Sequence, residues 1–167
     1  MKKPDGGKPP QSWDVLCQLE AKRWRLLDDI ERARRRFIET TPNRGAVIRA
    51  ALDRGERWTP LHTIEVLPEH ERRQFLPDLV HFASIEIRDM PLARHIILSM
   101  NRDWLLANVE PLIWSELGPS AAGEQFSLLA QLAEKIDAGL LSRIVDRALA
   151  SDNPEIRGLG LDSRRSK

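Results

Sequence analysis

Tyrosine is absent from the 167 residues, cysteine occurs once, and only 9 glycines are present. Each scarcity excludes something. A single cysteine, Cys17, permits no intrachain disulfide, which fits a reducing compartment, and cannot supply the thiolates of a zinc finger. The glycines form no GxGxxG, no GxxxxGK[ST] phosphate loop and no GxSxG nucleophile elbow. The one "GLG", at 158–160, has no strand pattern before it. No run of eighteen apolar residues occurs, so no membrane span is expected. The opening "MKKPDGGKPPQS" is positive but lacks a following apolar stretch, which excludes a secretory signal and predicts a flexible leader over 1–11. The expected compartment is the cytoplasm, without a membrane partner.

What is present reads as a globular, helical chain. Hydrophobic residues make up 41% and charged residues 31%, enough apolar material for a sizeable core. Over 13–39, Leu16, Leu19, Leu26, Ile30, Ala33 and Phe37 keep a three-four spacing that only Arg23 interrupts. That spacing predicts a long amphipathic helix over 12–40, capped by Ser12 and ended by "TTPN" at 40–43. Cys17 lies inside it and is expected to be buried, as helix cysteines usually are. Beyond Pro42 the pattern predicts shorter helices over 44–54, 60–67, 69–84, 91–100, 103–117, 120–135, 138–150 and 154–161. Strand-like alternation is confined to "TIEVL", which follows a Thr59–Pro60 helix start. The fold class is all-α.

Four prolines, Pro60, Pro91, Pro119 and Pro154, each follow a turn and precede an apolar helix, at intervals of 31, 28 and 35 residues. Proline at the first helical position sacrifices no hydrogen bond, because that N–H has no intrahelical acceptor. A helix start recurring about every thirty residues suggests a helical-hairpin repeat. "DMPLAR" at 89–94 and "DNPEIR" at 152–157 share the pattern Asp-x-Pro-x-x-Arg. There the acid is expected to cap the second helix of a hairpin, and the arginine to reach an acid on a neighbouring repeat. The "TPLH" at 59–62 also opens a helix in ankyrin repeats, but Ile64 stands where an ankyrin unit needs a small alanine, and the motif does not recur 33 residues on.

The stretch "DNPEIRGLGL" resembles the junction between the two helices of a HEAT repeat, where an Asp, a Pro and a following apolar–Arg pair are typical. The resemblance extends over about 43–161 as three to four degenerate units. It implies a short right-handed α-solenoid of HEAT-like hairpins within a single domain over 12–162, with the long helix ahead of the repeats and a basic tail at 163–167. Such stacks mostly act as binding scaffolds. The expectation is therefore a protein–protein interaction module, an adaptor without catalytic residues, cofactor or metal, whose groove is lined by the second helices. Their polar positions nominate His62, Glu65, Arg94, Glu124, Gln131 and Arg157. Arg94 and Arg157 carry a rival role as ladder residues between repeats.

Two other classes stay open at this level. "ERARRRF" at 31–37 puts Arg32, Arg34, Arg35 and Arg36 within five positions, with Trp24 upstream. Such density can contact phosphates while an indole stacks on a base, so nucleic-acid binding through this helix is the alternative. Its opposite reading is a solvated face in which Asp28 pairs with Arg32 and Glu31 with Arg35. Some HEAT-like proteins are DNA glycosylases, but residues 58–135 carry 6 basic against 11 acidic side chains, which disfavours a DNA groove there. Residues 1–57 carry 14 basic against 9 acidic, so the chain is dipolar and able to steer a partner. Four histidines, with His62–Glu65 and Asp78–His81 one helical turn apart, form no zinc motif. Most of the five tryptophans are expected in the core or between helices. The last unit either leaves Ile156, Leu159 and Leu161 open for a partner or a second copy or ends in a short capping helix, and both are compatible with the sequence.

Overall fold

A computed structural model describes residues 11–118 and 123–165, and every described regular element is helical. The chain divides into two units, the first ending at Arg44 and the second starting at Gly45. The leader expected over 1–11 lies outside the described residues apart from Gln11, as do Pro119 and the last two residues of the basic tail.

In the first unit, α1 runs Gln11–Thr40 without interruption. Ser12 lies inside this helix, so the cap expected of it is not made. At its far end the Thr41 amide donates to the Phe37 carbonyl, and Arg44 donates to the Ile38 carbonyl, closing orphan acceptors where Pro42 prevents continuation. Almost nothing on α1 is buried. Cys17 is exposed, contrary to expectation, because the whole helix, both faces, borders solvent along this stretch.

The second unit comprises α2 (Arg44–Asp53, its first residue in the preceding unit), α3 (Trp58–Glu65), α4 (Glu69–Arg72), α5 (Leu76–Ala83), α6 (Met90–Leu98), α7 (Arg102–Glu116), α8 (Gly123–Ile136), α9 (Ala138–Leu149) and α10 (Pro154–Arg165). The single helix expected over 69–84 is broken. Pro77 has no N–H, so the chain passes through a 3-10 turn at Arg73–Phe75, and the Leu76 amide bonds back to the Arg73 carbonyl before α5 begins. Helix α10 is a full 12 residues, longer than its apolar pattern suggested, and it buries Ile156 in the chain's own core while Leu161 stays exposed.

Capping also departs from expectation. Thr59 and Pro60 are the second and third residues of α3, whose N-cap is Arg57. Asp89 sits at the N-cap of α6 but accepts no side-chain hydrogen bond there. Asn153, one residue past Asp152, accepts from the Glu155 amide at the start of α10. Asn101 caps α7 through the Trp104 amide, and Asp137 caps α9 through the amides of Gly139 and Leu140. Helix α2 ends in a Schellman turn: Gly55 N–H reaches the Leu52 carbonyl, Glu56 N–H reaches the Ala51 carbonyl, and Gly55 takes φ of 82°.

Packing follows a simple order. Helices α3, α6, α8 and α10 touch in succession, and α5, α7 and α9 touch in succession beside them, so chain neighbours alternate between two layers. The core between them is aliphatic, with Leu61, Ile64, Leu79, Ile96, Val109, Ile113, Leu129, Leu132, Leu140 and Ile144 fully enclosed, together with Phe75 and Phe126. Arginines stitch the second layer. Arg49 of α2 pairs with Asp78 of α5, Arg143 of α9 with Glu110 of α7 at 2.8 Å, and Arg102 of α7 with Asp137 at 2.5 Å. Arg73 lies 4.7 Å over Trp104, and Arg147 lies 4.5 Å over Trp114.

The two glycine environments give opposite expectations. At Gly55 no atom crowds a new Cβ, so Gly55→Ala isolates the left-handed backbone and is expected to cost about 1 kcal/mol. Gly158 lies inside α10 with open space around its Cα, so Gly158→Ala should stabilise by up to about 1 kcal/mol. Thermal melts of the two variants check the signs.

Candidate functional site

All six nominated groove residues fall on the layer α3–α6–α8–α10: His62 and Glu65 on α3, Arg94 on α6, Glu124 and Gln131 on α8, Arg157 on α10. They do not converge on one point. Three separate local arrangements result.

The first is centred on Glu65. Its Oε2 is 3.4 Å from His62 Nδ1 and its Oε1 is 3.7 Å from His95 Nε2, so one carboxylate spans α3 and α6. The Trp58 ring meets His62 edge-on at 4.3 Å between centroids, and the Arg88 guanidinium lies 5.0 Å over Trp58. Trp58 is half exposed, and Val66 and Leu98 on the same two helical segments are exposed as well. His62 Nε2 is buried without a hydrogen-bond partner among the described residues. Trp58, Arg88 and His95 were not nominated from the sequence. The signal for His95 was the proline spacing: Glu65 follows Pro60 by five positions and His95 follows Pro91 by four, and the packing of α3 on α6 brings them together.

The second arrangement is internal. Arg94 is only 9% exposed and donates to the Leu128 carbonyl at 2.7 Å, the Gln131 side-chain oxygen at 3.4 Å and the Ala83 carbonyl at 3.5 Å. Burial pulls its pKa below the ordinary arginine value. Arg94 therefore ties α6 to α8 and to the end of α5, and its acceptors are backbone and amide oxygens where the sequence suggested an acid. Arg157 is different: it is exposed and makes no ion pair among the described residues. The third arrangement pairs Glu124 with Glu86. Glu124 is held above the usual carboxylate range because the Glu86 carboxyl hydrogen-bonds it and repels its charge.

The arginine cluster of α1 is largely answered by its own helix. Arg32 pairs with both Asp28 and Asp29, and Arg34 pairs with Glu31, so Glu31 is taken by Arg34 where the sequence suggested Arg35. The Arg32 pKa is raised by its hydrogen bond to Asp29 and the Asp28 charge. Arg35 and Arg36 are exposed, and with Asp29, Arg32, Ala33 and Glu39 they line an open depression of about 550 Å³. Trp24 is 68% exposed, and Trp13 and Trp58 are also more than half exposed. The expectation of mostly packed tryptophans holds only for Trp104 and Trp114, which are partly buried beneath Arg73 and Arg147.

Among the described residues, no cluster of three or more His, Cys, Asp and Glu side chains is arranged to hold a metal ion. Asp78 and His81, one turn apart, take different partners: Asp78 turns to Arg49 while His81 Nδ1 meets Glu116 Oε2 at 3.0 Å. No helix among the described residues is long and apolar enough to cross a membrane.

Arg94→Met is expected to cost about 2 kcal/mol, because the charged hydrogen bonds from Arg94 to the Leu128 and Ala83 carbonyls and to Gln131 are lost. The Tm should fall by roughly 4–8 °C, whereas Arg157→Met should leave it nearly unchanged. Glu124→Gln tests the carboxyl pair. A raised folded pKa gives a contribution present at acid pH and lost as pH rises through it. The variant should thus melt above the parent at neutral pH, the gap closing as pH falls into the carboxylate range.

Comparisons with protein-family models, with curated proteins and with solved structures each return no match. The functional reading rests on the geometry of this chain.

Proposed function

We propose that the chain is a non-catalytic protein–protein interaction module, a scaffold or adaptor built as a short right-handed α-solenoid of HEAT-like hairpins. The pairs α2/α3, α5/α6, α7/α8 and α9/α10 would be its repeats. The observation that carries the reading is the order of packing: α3, α6, α8 and α10, each the second member of its pair, adjoin one another as one layer. Stacked units of this kind bury their apolar sides on each other and leave an extended surface for a partner. On that layer, the half-exposed Trp58 with Arg88 above it, beside Val66, Leu98 and the Glu65–His95 pair, combines the aromatic and arginine side chains that dominate binding energy at protein interfaces.

Nucleic-acid binding through α1 has less support. Arg32 and Arg34 are engaged by acids on the same helix, which leaves Arg35 and Arg36 as the exposed arginines of the cluster without an ion pair among the described residues. Binding that rests on phosphate contacts weakens in salt roughly in proportion to their number.

A photo-crosslinking residue placed at Trp58 or Leu98 should capture a protein from source-cell lysate, insensitive to nuclease, while the same residue at Asp103 or Ser142 in the other layer should not. Equal capture from both layers would remove the case for this surface. Nuclease-sensitive material lost on charge reversal of Arg35 and Arg36 would move the working surface to α1.

A further inference from the structure

The exposed seam of α1 carries an inference independent of the repeat surface. Leu16, Leu19, Arg23, Leu26, Ile30, Ala33 and Phe37 alternate three and four residues without a break, the spacing of coiled-coil core positions. In a helix that serves only its own fold, such a stripe is covered. Here Leu16, Leu19, Leu26 and Ile30 are each close to half exposed or more, and Trp13, Val15 and Leu27 along the flanks are exposed too. A stripe this long, about 32 Å over 16–37, buries well against another straight helix.

We propose that α1 pairs antiparallel with α1 of a second copy of this chain, in the register that sets Lys22 opposite Asp29 of the second copy. The core layers are then Leu16 on Ala33, Leu19 on Ile30, and Arg23 on Leu26, each occurring twice by the two-fold axis. The flanking charges select this register. Lys22 meets Asp29 on both sides of the axis, and Glu20 lies beside Leu27, so no like charges face each other at these positions.

The competing arrangements each carry a conflict. Sliding one heptad in one direction sets Lys22 against Arg36 and Asp29 against Asp29, although Glu20 then meets Arg34. Sliding one heptad the other way sets Lys22 against Lys22 and Glu20 against Glu20. A parallel, in-register pair gains Asp29 against Arg34 but places the two Arg23 side chains in the same core layer, where like charges repel at close quarters. In the antiparallel pair each Arg23 packs on a leucine and keeps its own carboxylate, Glu20, whose Oε2 is 3.5 Å away on the same helix.

Sedimentation equilibrium of the full chain is the test, with circular dichroism confirming that each variant stays helical. The parent should show a concentration-dependent monomer–dimer equilibrium, and Ile30→Glu should be monomeric. Lys22→Asp alone and Asp29→Lys alone should each weaken the dimer roughly tenfold or more, since each creates two like-charge contacts. The double exchange, Lys22→Asp with Asp29→Lys, should restore it. In a parallel pair Lys22 faces Leu27, so the exchange would rescue nothing. A parent that stays monomeric, a dimer indifferent to Ile30→Glu, or a double exchange as weak as Asp29→Lys alone would each overturn the proposal.

Discussion

A helix of eight to fifteen residues with one apolar stripe cannot cover that stripe by itself, and this constraint organises the second unit. Most of its helices carry such a stripe, and prolines near the starts of α3, α5, α6 and α10 keep them short. Elements must lie against others a few places away in the chain, which produces two layers with an aliphatic core between them. The polar joints are secondary to this. Arg94 succeeds as a buried tie because the apolar stacking has already brought the Leu128 and Ala83 carbonyls within its reach.

Periodicity made the all-α class and most helix positions readable, because apolar spacing and proline placement are local properties. The break at Pro77 was readable in principle, since the missing N–H is visible in the sequence, but the apolar run of 75–83 masked it. Caps were less legible. Asp89 and Asn153 occupy related junctions, yet only Asn153 makes the side-chain bond, a matter of backbone angle that residue type does not encode. Exposure was the largest gap. The seam of α1 has the same three-four spacing as a buried helix, and spacing alone does not tell whether a face is covered by its own chain. The same gap explains Cys17 and Trp24, both expected from residue type to prefer the interior.

The candidate surface shows the same division. His62 and Glu65 share one helical turn, a spacing visible in the sequence, and their side chains meet at 3.4 Å. Their third member, His95, arrives through tertiary packing, and so does Arg88 above Trp58. The proline spacing is the one sequence signal that spans such distances, and it works only where successive intervals are nearly equal. Glu65 and His95 are thirty residues apart, close to the 31 between Pro60 and Pro91, so the offset is small there. Between Pro119 and Pro154 the interval stretches to 35, and Glu124 and Arg157 enter no shared contact.

The arginines show why composition alone is a weak guide to a partner. The same side chain serves as a buried tie at Arg94, as a lid on an indole at Arg147, and as an intrahelical counter-ion at Arg32. Which role it takes depends on what lies within its reach: carbonyls of neighbouring helices, an aromatic face on an adjacent helix, or a carboxylate one turn away. Applied to α1, this turns attention from its many positive charges to its apolar seam. Charges answered along the helix contribute little attraction for a polyanion, whereas an unanswered apolar stripe gains from any partner that matches its period. The few charges that flank such a stripe then act mainly by excluding wrong registers, and for that purpose one lysine and one aspartate placed seven residues apart are sufficient.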